Sequence, residues 1–121
     1  MFTKLFAICL LVNDFEKSLS FYRDVLELKI KDKEEGFANF VLEGTELAIF
    51  QKDAATAMFP REYMKPSGGF LIAYKVGDVA LACVDLKKKG VVIFEGQKIT
   101  PWGQSVAYFH DPDGNIWEVT S

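Results

Sequence analysis

The stretch that decides the fold is YFHDPDGNIWE, residues 108–118 of a 121-residue chain. Its centre, His-Asp-Pro-Asp-Gly at residues 110–114, is dense in turn-forming residues. Apolar runs on both sides of this centre predict strands over residues 105–109 and 115–120. The segment therefore predicts a β-hairpin closed by a tight turn.

A similar hairpin is predicted earlier in the chain. The apolar runs 37–42 and 46–51 flank Glu43-Gly44-Thr45, a short connection with a central glycine. Residues 40–48 align with residues 109–118 when the second turn is given one more residue. The chain therefore contains an internal repeat, which is typical of a duplicated supersecondary unit.

Each hairpin is preceded by an apolar strand and an amphipathic helix. Residues 5–12 form an uninterrupted apolar run, which predicts a strand buried on both faces. Asp14 is the expected N-cap of the helix that follows. In the second half, residues 70–76 predict the strand, and Asp78 is the expected cap of a helix over residues 79–89.

One more strand is expected in each half, between the helix and the hairpin. Residues 29–35 predict a polar strand and a turn, and residues 91–94 predict the equivalent short strand in the second half. Each half is then β-α-β-β-β, and the fold class is α+β. Because one helix covers only one face of each sheet, we expect the two sheets to join and curve into a cup, with the helices on the outer face.

We expect a single domain over residues 1–121, with module one at 1–52, a linker at 53–69 and module two at 70–121. The linker is predicted as a surface crossover. A mobile cover over a pocket is the alternative, because apolar residues on a long loop need something to bury against. The repeat is compatible with pairing of the modules within one chain or between two chains.

The composition argues against several classes of function. Half of the residues are hydrophobic, and the formal net charge is −3. The basic run at residues 87–89 lies at a predicted helix end, where cations are favoured, so no nucleic-acid surface is expected. No run reaches the roughly 20 apolar residues that span a bilayer. We expect a cytoplasmic protein, with Cys9 and Cys83 as reduced core residues.

Motifs in both halves resemble those of the vicinal oxygen chelate superfamily. Residues 11–14, LVND, followed by Ser18, Phe21-Tyr22 and Leu26, are similar to the superfamily's opening signature. Residues 101–118, which begin Pro-Trp-Gly, resemble its closing signature. The superfamily includes glyoxalase I, fosfomycin and bleomycin resistance proteins, and extradiol dioxygenases. The resemblance implies paired βαβββ modules, a small-molecule ligand and a homodimer.

The resemblance also implies where a metal would bind. The four ligand positions of metal-dependent members carry over to Ala7, Ala48, Leu71 and Glu118, and the repeat relates the first to the third and the second to the fourth. Three of these side chains have no lone pair to donate, whereas such metals need several N, O or S ligands. We therefore expect no metal and no other cofactor. The alternative is a divalent metal held by Cys9 and Glu118 with help from a substrate or a second subunit.

The expected ligand-binding residues follow from alternation along the strands that carry these positions. They are Ala7, Cys9, Leu11, Ala48, Phe50, Leu71, Ala73, Trp102 and Glu118. Trp102 resembles a position close to the ligand, and its alternative role is to anchor a loop on the core. Asn39 and Tyr108 would add polar contacts if they face the same way. A mostly apolar cavity with one carboxylate suits a planar or cationic organic ligand.

Two classes of function remain at this point. The first is a metal-free binding protein that holds an organic, aromatic or cationic ligand in the sheet concavity, similar to the bleomycin-resistance branch. The second is an enzyme of the lyase, isomerase or dioxygenase type that uses a metal or Glu118 as a general base. Glu118 is the candidate catalytic residue, because a partly buried carboxylate can accept a proton. A third alternative is a domain that mainly dimerises, with its concavity filled by its own side chains.

Overall fold

The computed structural model describes residues 2–3, 5–65 and 69–121. Module one contains β1 (Ala7–Val12), α1 (Phe15–Ser20), β2 (Lys29–Glu34), β3 (Phe37–Val41) and β4 (Glu46–Gln51). Module two contains β5 (Leu71–Lys75), α3 (Val79–Lys88), β6 (Glu95–Ile99), β7 (Ser105–His110) and β8 (Ile116–Thr120). A π-helical turn (Phe21–Val25) extends α1, and α2 (Lys52–Ala55) and a 3₁₀ turn (Arg61–Tyr63) lie between β4 and β5. The predicted α+β class with two βαβββ modules is confirmed.

The two modules have the same sheet topology. The strand orders are β1-β4-β3-β2 in module one and β5-β8-β7-β6 in module two. The first strand of each module pairs in parallel with its last strand, and the other pairs are antiparallel. The chain divides into two compact units between residues 65 and 66, inside the predicted linker. Pro66, Ser67 and Gly68 of that linker lie outside the described residues.

Aspartate caps start both main helices, as predicted. Asp14 Oδ1 accepts the backbone N–H of Lys17 at 3.1 Å, and Asp78 Oδ1 accepts that of Leu81 at the same distance. Each cap satisfies a donor that has no partner within the first turn of a helix.

The closing turn is organised by one buried carboxylate. Asp111 accepts the backbone N–H groups of Asp113 and Asn115, the side-chain amide of Asn115 and the indole N–H of Trp117, at 2.8–3.3 Å. These four donors compensate the cost of burying a charge. The corresponding turn of module one has no such hub among the described contacts. There, the Thr45 hydroxyl donates to the Leu5 carbonyl at 3.3 Å in an exposed position.

In each module, the main helix lies on one face of the sheet and the core fills the space between them. In module one the buried set includes Leu10, Val12, Leu19, Tyr22, Phe40 and Ile49; in module two it includes Val79, Cys83, Leu86, Phe109, Trp117 and Val119. The fully buried Trp117 ring stacks against Tyr74 and Phe109, with centroids 4.9 and 6.4 Å away. In the part of the chain that the structure describes, α1 and α3 each cover only this one face of their sheet.

The prediction that the first strand is buried on both faces is wrong. Leu10 and Val12 are buried, but Cys9 between them is exposed, and Leu5 and Phe6 precede the strand in exposed positions. The physical reason is that α1 covers only one side of β1. Cys83 is buried as expected, and both cysteines are free thiols.

The prediction of a strand over residues 91–94 is also wrong. The Val91 N–H donates to the Leu86 carbonyl at 2.9 Å and completes the end of α3. Sheet pairing starts where the Phe94 N–H donates to the Tyr108 carbonyl at 3.0 Å, and the strand follows as β6. All five residues of β6 are exposed, so no apolar pattern marks this edge strand.

No helix among the described residues is long and apolar enough to cross a membrane. In the segment before residue 66, Ala55 and Met64 are buried, whereas Met58 and Tyr63 are exposed. The alternative of a mobile cover stays a prediction.

Candidate functional site

The predicted strand residues of the site lie on the side of each sheet that is opposite its helix. We call these sides the module-one face and the module-two face. The module-one face carries Ala7, Cys9, Leu11, Asn39, Ala48 and Phe50, and the module-two face carries Leu71, Ala73, Tyr108 and Glu118. Strand alternation and lateral register define both sets, because laterally paired residues point to the same side of a sheet.

The centre of the module-one face is a row of four laterally paired residues, which we call the Ala48 row. It runs Cys9, Ala48, Asn39, Asp32 across the four strands. The Asn39 side-chain oxygen accepts the backbone N–H of Asp32 at 2.9 Å, at the irregularity in β2. Partial burial raises the pKa of the Cys9 thiol, although that residue is solvent-accessible. A raised pKa lowers the thiolate fraction and makes Cys9 a weak nucleophile.

An aromatic pair lies beside the Ala48 row. Phe37 and Phe50 meet edge to face, with ring centroids 5.8 Å apart, and Leu11 pairs laterally with Phe50. The charged groups Lys31 and Glu46 pair with each other at 2.9 Å. The module-one face therefore presents small and aromatic apolar groups around the Asn39 amide, whose oxygen already accepts a backbone hydrogen bond.

The matching row on the module-two face has different chemistry. The Glu118 row runs Ala73, Glu118, Tyr108, Glu95 across β5, β8, β7 and β6. The Tyr108 hydroxyl donates to the Glu118 carboxylate. This hydrogen bond raises the pKa of Tyr108, and partial burial and the negative charges of Glu118 and Glu95 act in the same direction. The Tyr108 hydroxyl therefore keeps its proton beside the Glu118 carboxylate.

Two more aromatic rings adjoin the Glu118 row. Phe94 stacks on His110 with centroids 4.3 Å apart and planes 17° apart, and it lies 6.2 Å from the Tyr108 ring. His110 is exposed beside the closing turn, as expected. Lys98 pairs with Glu95 at 3.2 Å. On the same face, the Thr120 hydroxyl oxygen is buried and has no hydrogen-bond partner among the described residues.

The donor set does not fit a resident metal. Ala7, Ala48 and Leu71 present only aliphatic carbon at three of the four positions that the resemblance implies, and Glu118 is the one donor. Within the described ranges, no group of three or more His, Cys, Asp and Glu side chains is placed to hold a metal ion. Cys9 lies on the module-one face and Glu118 lies on the module-two face.

Trp102 does not anchor its loop on the core. Its side chain is 73% exposed in the turn between β6 and β7, and its indole N–H donates to Gln104 Oε1 at 2.7 Å. The anchoring alternative is therefore wrong. A ligand contact by Trp102 stays a prediction.

Sequence reasoning missed Phe94 and Glu95 and left the direction of Tyr108 open. The register of the closing hairpin pairs Tyr108 with Glu118, so counting outward from the turn would have put both side chains on one face. No comparable signal existed for Phe94 and Glu95, because the strand that carries Glu95 was not recognised.

A cavity of about 410 Å³ lies elsewhere in module two, at the start of α3. Its lining includes Asp78, Gln97, Lys98, Ser105 and Ser121. None of the predicted site residues lines it.

Comparisons with known proteins agree with this architecture. A family model described as a glyoxalase-like domain matches residues 5–121. An uncharacterized protein of Bacillus subtilis, YraH, is 35% identical over 123 residues, with 96% of each chain covered. A glyoxalase/bleomycin resistance protein/dioxygenase from Nocardioides superimposes with a TM-score of 0.82 at 25% identity, covering 98% of this chain and 82% of that one. A glyoxalase/bleomycin resistance protein/dioxygenase family enzyme from Burkholderia phytofirmans has a TM-score of 0.86 at 16% identity, with 98% of each chain covered. At this identity the likeness shows the fold alone.

Proposed function

Because this chain belongs to the glyoxalase-like domain family of the vicinal oxygen chelate superfamily, we propose that it binds a small organic molecule without a resident metal. The module-one and module-two faces are the proposed binding surfaces, with Glu118 as the principal polar contact. One observation carries this proposal: three of the four metal positions that the resemblance implies are aliphatic here, and the fourth, Glu118, pairs with Tyr108 across the closing hairpin.

The residues around Glu118 support a binding role. Leu71 and Ala73 place apolar groups beside the carboxylate, and Tyr108 fixes it from the neighbouring strand. A fixed carboxylate on an apolar and aromatic surface gives a ligand both contact area and orientation. The name of the Nocardioides protein, glyoxalase/bleomycin resistance protein/dioxygenase, includes resistance proteins as well as enzymes, and a binding protein is compatible with it.

The competing function is an enzyme in which Glu118 is the general base. A carboxylate on a sheet face is able to take a proton from a bound substrate when it lies within hydrogen-bond distance of it. The pairing of Tyr108 with Glu118 across the closing hairpin favours a fixed, binding carboxylate. Loss of turnover in Glu118→Gln, with ligand binding retained, would establish the enzyme instead.

The test combines metal analysis with ligand screening. Protein purified without chelators is measured for transition metals and then screened by thermal shift with aromatic and cationic compounds. We expect substoichiometric metal and at least one saturable ligand, whose stabilisation grows with its concentration. Glu43→Gln is the control for Glu118→Gln, because it makes the same change of charge at an exposed turn of module one. One tightly bound transition metal per chain would contradict the proposal, as would a complete absence of ligands.

The proposal includes a homodimer in the cytoplasm, with no nucleic-acid or membrane partner. It rests on the superfamily resemblance and on the formal charge of −3. Light scattering after gel filtration tests the assembly, and a monomer at micromolar concentration would contradict it. Fractionation of the cells that make the protein tests the location.

A further inference from the structure

Building on the proposed function, we infer that the module-two face selects a planar organic monocation with N–H donors, such as an amidinium or guanidinium group. The cation lies against Glu118, and its plane lies along the rings of Phe94, Tyr108 and His110. These four residues define the cation subsite.

The local charge calls for a single positive charge on the ligand. Two carboxylates belong to the Glu118 row, but Lys98 lies 3.2 Å from Glu95 and neutralises it. Glu118 forms no ion pair with a lysine or arginine in the part of the chain that the structure describes. Glu118 therefore keeps its negative charge available to a ligand, with Lys75 farther along the same side of β5, next to Thr120. A monocation is the charge-complementary ligand at this carboxylate.

The hydrogen bonding of Glu118 calls for N–H donors. An ionised carboxylate has about four acceptor positions, and the Tyr108 hydroxyl takes one of them. Amidinium and guanidinium groups donate two parallel N–H groups to a carboxylate, which is a strong and orienting contact. Because Glu118 is partly buried beside Leu71 and Ala73, such a contact has less competition from water than one at an open surface.

The ring geometry calls for a planar group. Phe94 and His110 are almost parallel at 4.3 Å, and the Tyr108 ring lies 6.2 Å from Phe94 with a tilt of 37°. Phe94 is 45% exposed, so part of its ring surface is available to a ligand. Planar cations gain attraction from the faces of aromatic rings, and a flat group covers more ring surface than a tetrahedral ammonium.

The experiment compares three small probes by titration calorimetry at about pH 8. Benzamidine is planar and cationic, benzamide is its neutral counterpart, and benzylamine carries a tetrahedral ammonium. We expect benzamidine to bind at least about tenfold more tightly than benzamide, the size expected for a hydrogen bond to a charged group. Benzylamine should fall between them.

Variants locate the effect on the subsite. Glu118→Gln should abolish the preference for benzamidine over benzamide, and Glu43→Gln should leave it unchanged. Phe94→Ala should weaken benzamidine more than benzylamine, because the planar cation covers more of the ring face than a tetrahedral ammonium does. Phe94 lies on an exposed segment, so this variant remains informative if Glu118→Gln fails to fold.

The outcomes separate this inference from the proposed function. Equal binding of benzamide and benzamidine would overturn the planar cation, and so would binding of other screened compounds but none of the three probes. Both results leave the metal-free binding protein intact. A screen with no ligand at all would instead overturn the proposed function. An unchanged preference of Glu118→Gln for benzamidine over benzamide would show that the cation does not bind at this face.

Discussion

The module-one face and the module-two face occupy equivalent positions of a repeated sheet, yet they carry different chemistry. Alanine at position 48 corresponds to Glu118, and Asn39 corresponds to Tyr108. The Asn39 side chain accepts a backbone N–H of its own sheet, whereas the Tyr108 hydroxyl donates to a carboxylate. The helix-covered sides, by contrast, are both filled with large apolar groups. Packing against a helix therefore constrains one side of each sheet in the same way, whereas the chemistry of the other side differs between the modules.

The largest expected effect tests whether the helix-covered sides are equivalent. Trp117→Ala and Leu47→Ala truncate buried residues at corresponding positions of the repeat. We expect losses in the free energy of unfolding of about 3–5 kcal/mol and 2–5 kcal/mol, because each leaves a cavity in a packed core. Urea denaturation followed by circular dichroism measures both, with the exposed Leu81→Ala as the control. A Trp117→Ala loss below about 1 kcal/mol would break the equivalence.

The next effect tests the difference between the two hairpin turns. Asp111→Ala removes the acceptor of four hydrogen bonds and should cost about 2–4 kcal/mol of unfolding free energy. Thr45→Ala removes one exposed contact and should change it by no more than about 0.5 kcal/mol. The same denaturation experiment compares them. Similar costs for the two variants would show that the carboxylate hub does not distinguish the turns.

A smaller effect tests the symmetry of the helix starts. Asp14→Ala and Asp78→Ala each remove one capping hydrogen bond of 3.1 Å. We expect each to lower the unfolding free energy by about 1 kcal/mol, and Asp→Asn at either site to recover most of that loss. Thermal denaturation of the four variants is the measurement. A cost confined to one module would break the symmetry of the caps.

The smallest effect is a pH dependence that belongs to module two. Burial raises the pKa of Tyr74, and the hydrogen bond to Glu118 raises that of Tyr108. The folded protein holds these protons more tightly than the unfolded chain, so stability should fall as pH rises past the usual tyrosine pKa of about 10. Absorbance titration of tyrosinate in Glu118→Gln should show one tyrosine shifted toward lower pH. No shift would contradict the hydrogen bond.

Local chemistry explains which parts of the fold the sequence predicted. Asp14, Asp78 and the turn at residues 110–114 act through neighbours a few residues away, so their patterns are visible in the chain. Alternation along β5 from Leu71, a position taken from the motif resemblance, put Ala73 on the same side, and the register pairs Ala73 with Glu118. These features need no knowledge of distant contacts.

The features that were missed depend on partners across the sheet. Strand β6 has only exposed residues and is defined by its backbone pairing with β7, which no apolar pattern reveals. The exposure of Cys9 depends on which side of β1 the helix covers. The aromatic contacts of Phe94 likewise follow from where β6 begins. Site chemistry was therefore harder to predict than topology.

Both tryptophans of the chain lie in module two, and their surroundings are opposite. Trp117 is fully buried between Tyr74 and Phe109, whereas Trp102 is 73% exposed in a turn. Tryptophan emission therefore reports on module two alone, with a short-wavelength component from the core and a long-wavelength component that acrylamide quenches. Fluorescence and circular dichroism recorded together give this chain a built-in means to time the unfolding of one module against that of the whole molecule.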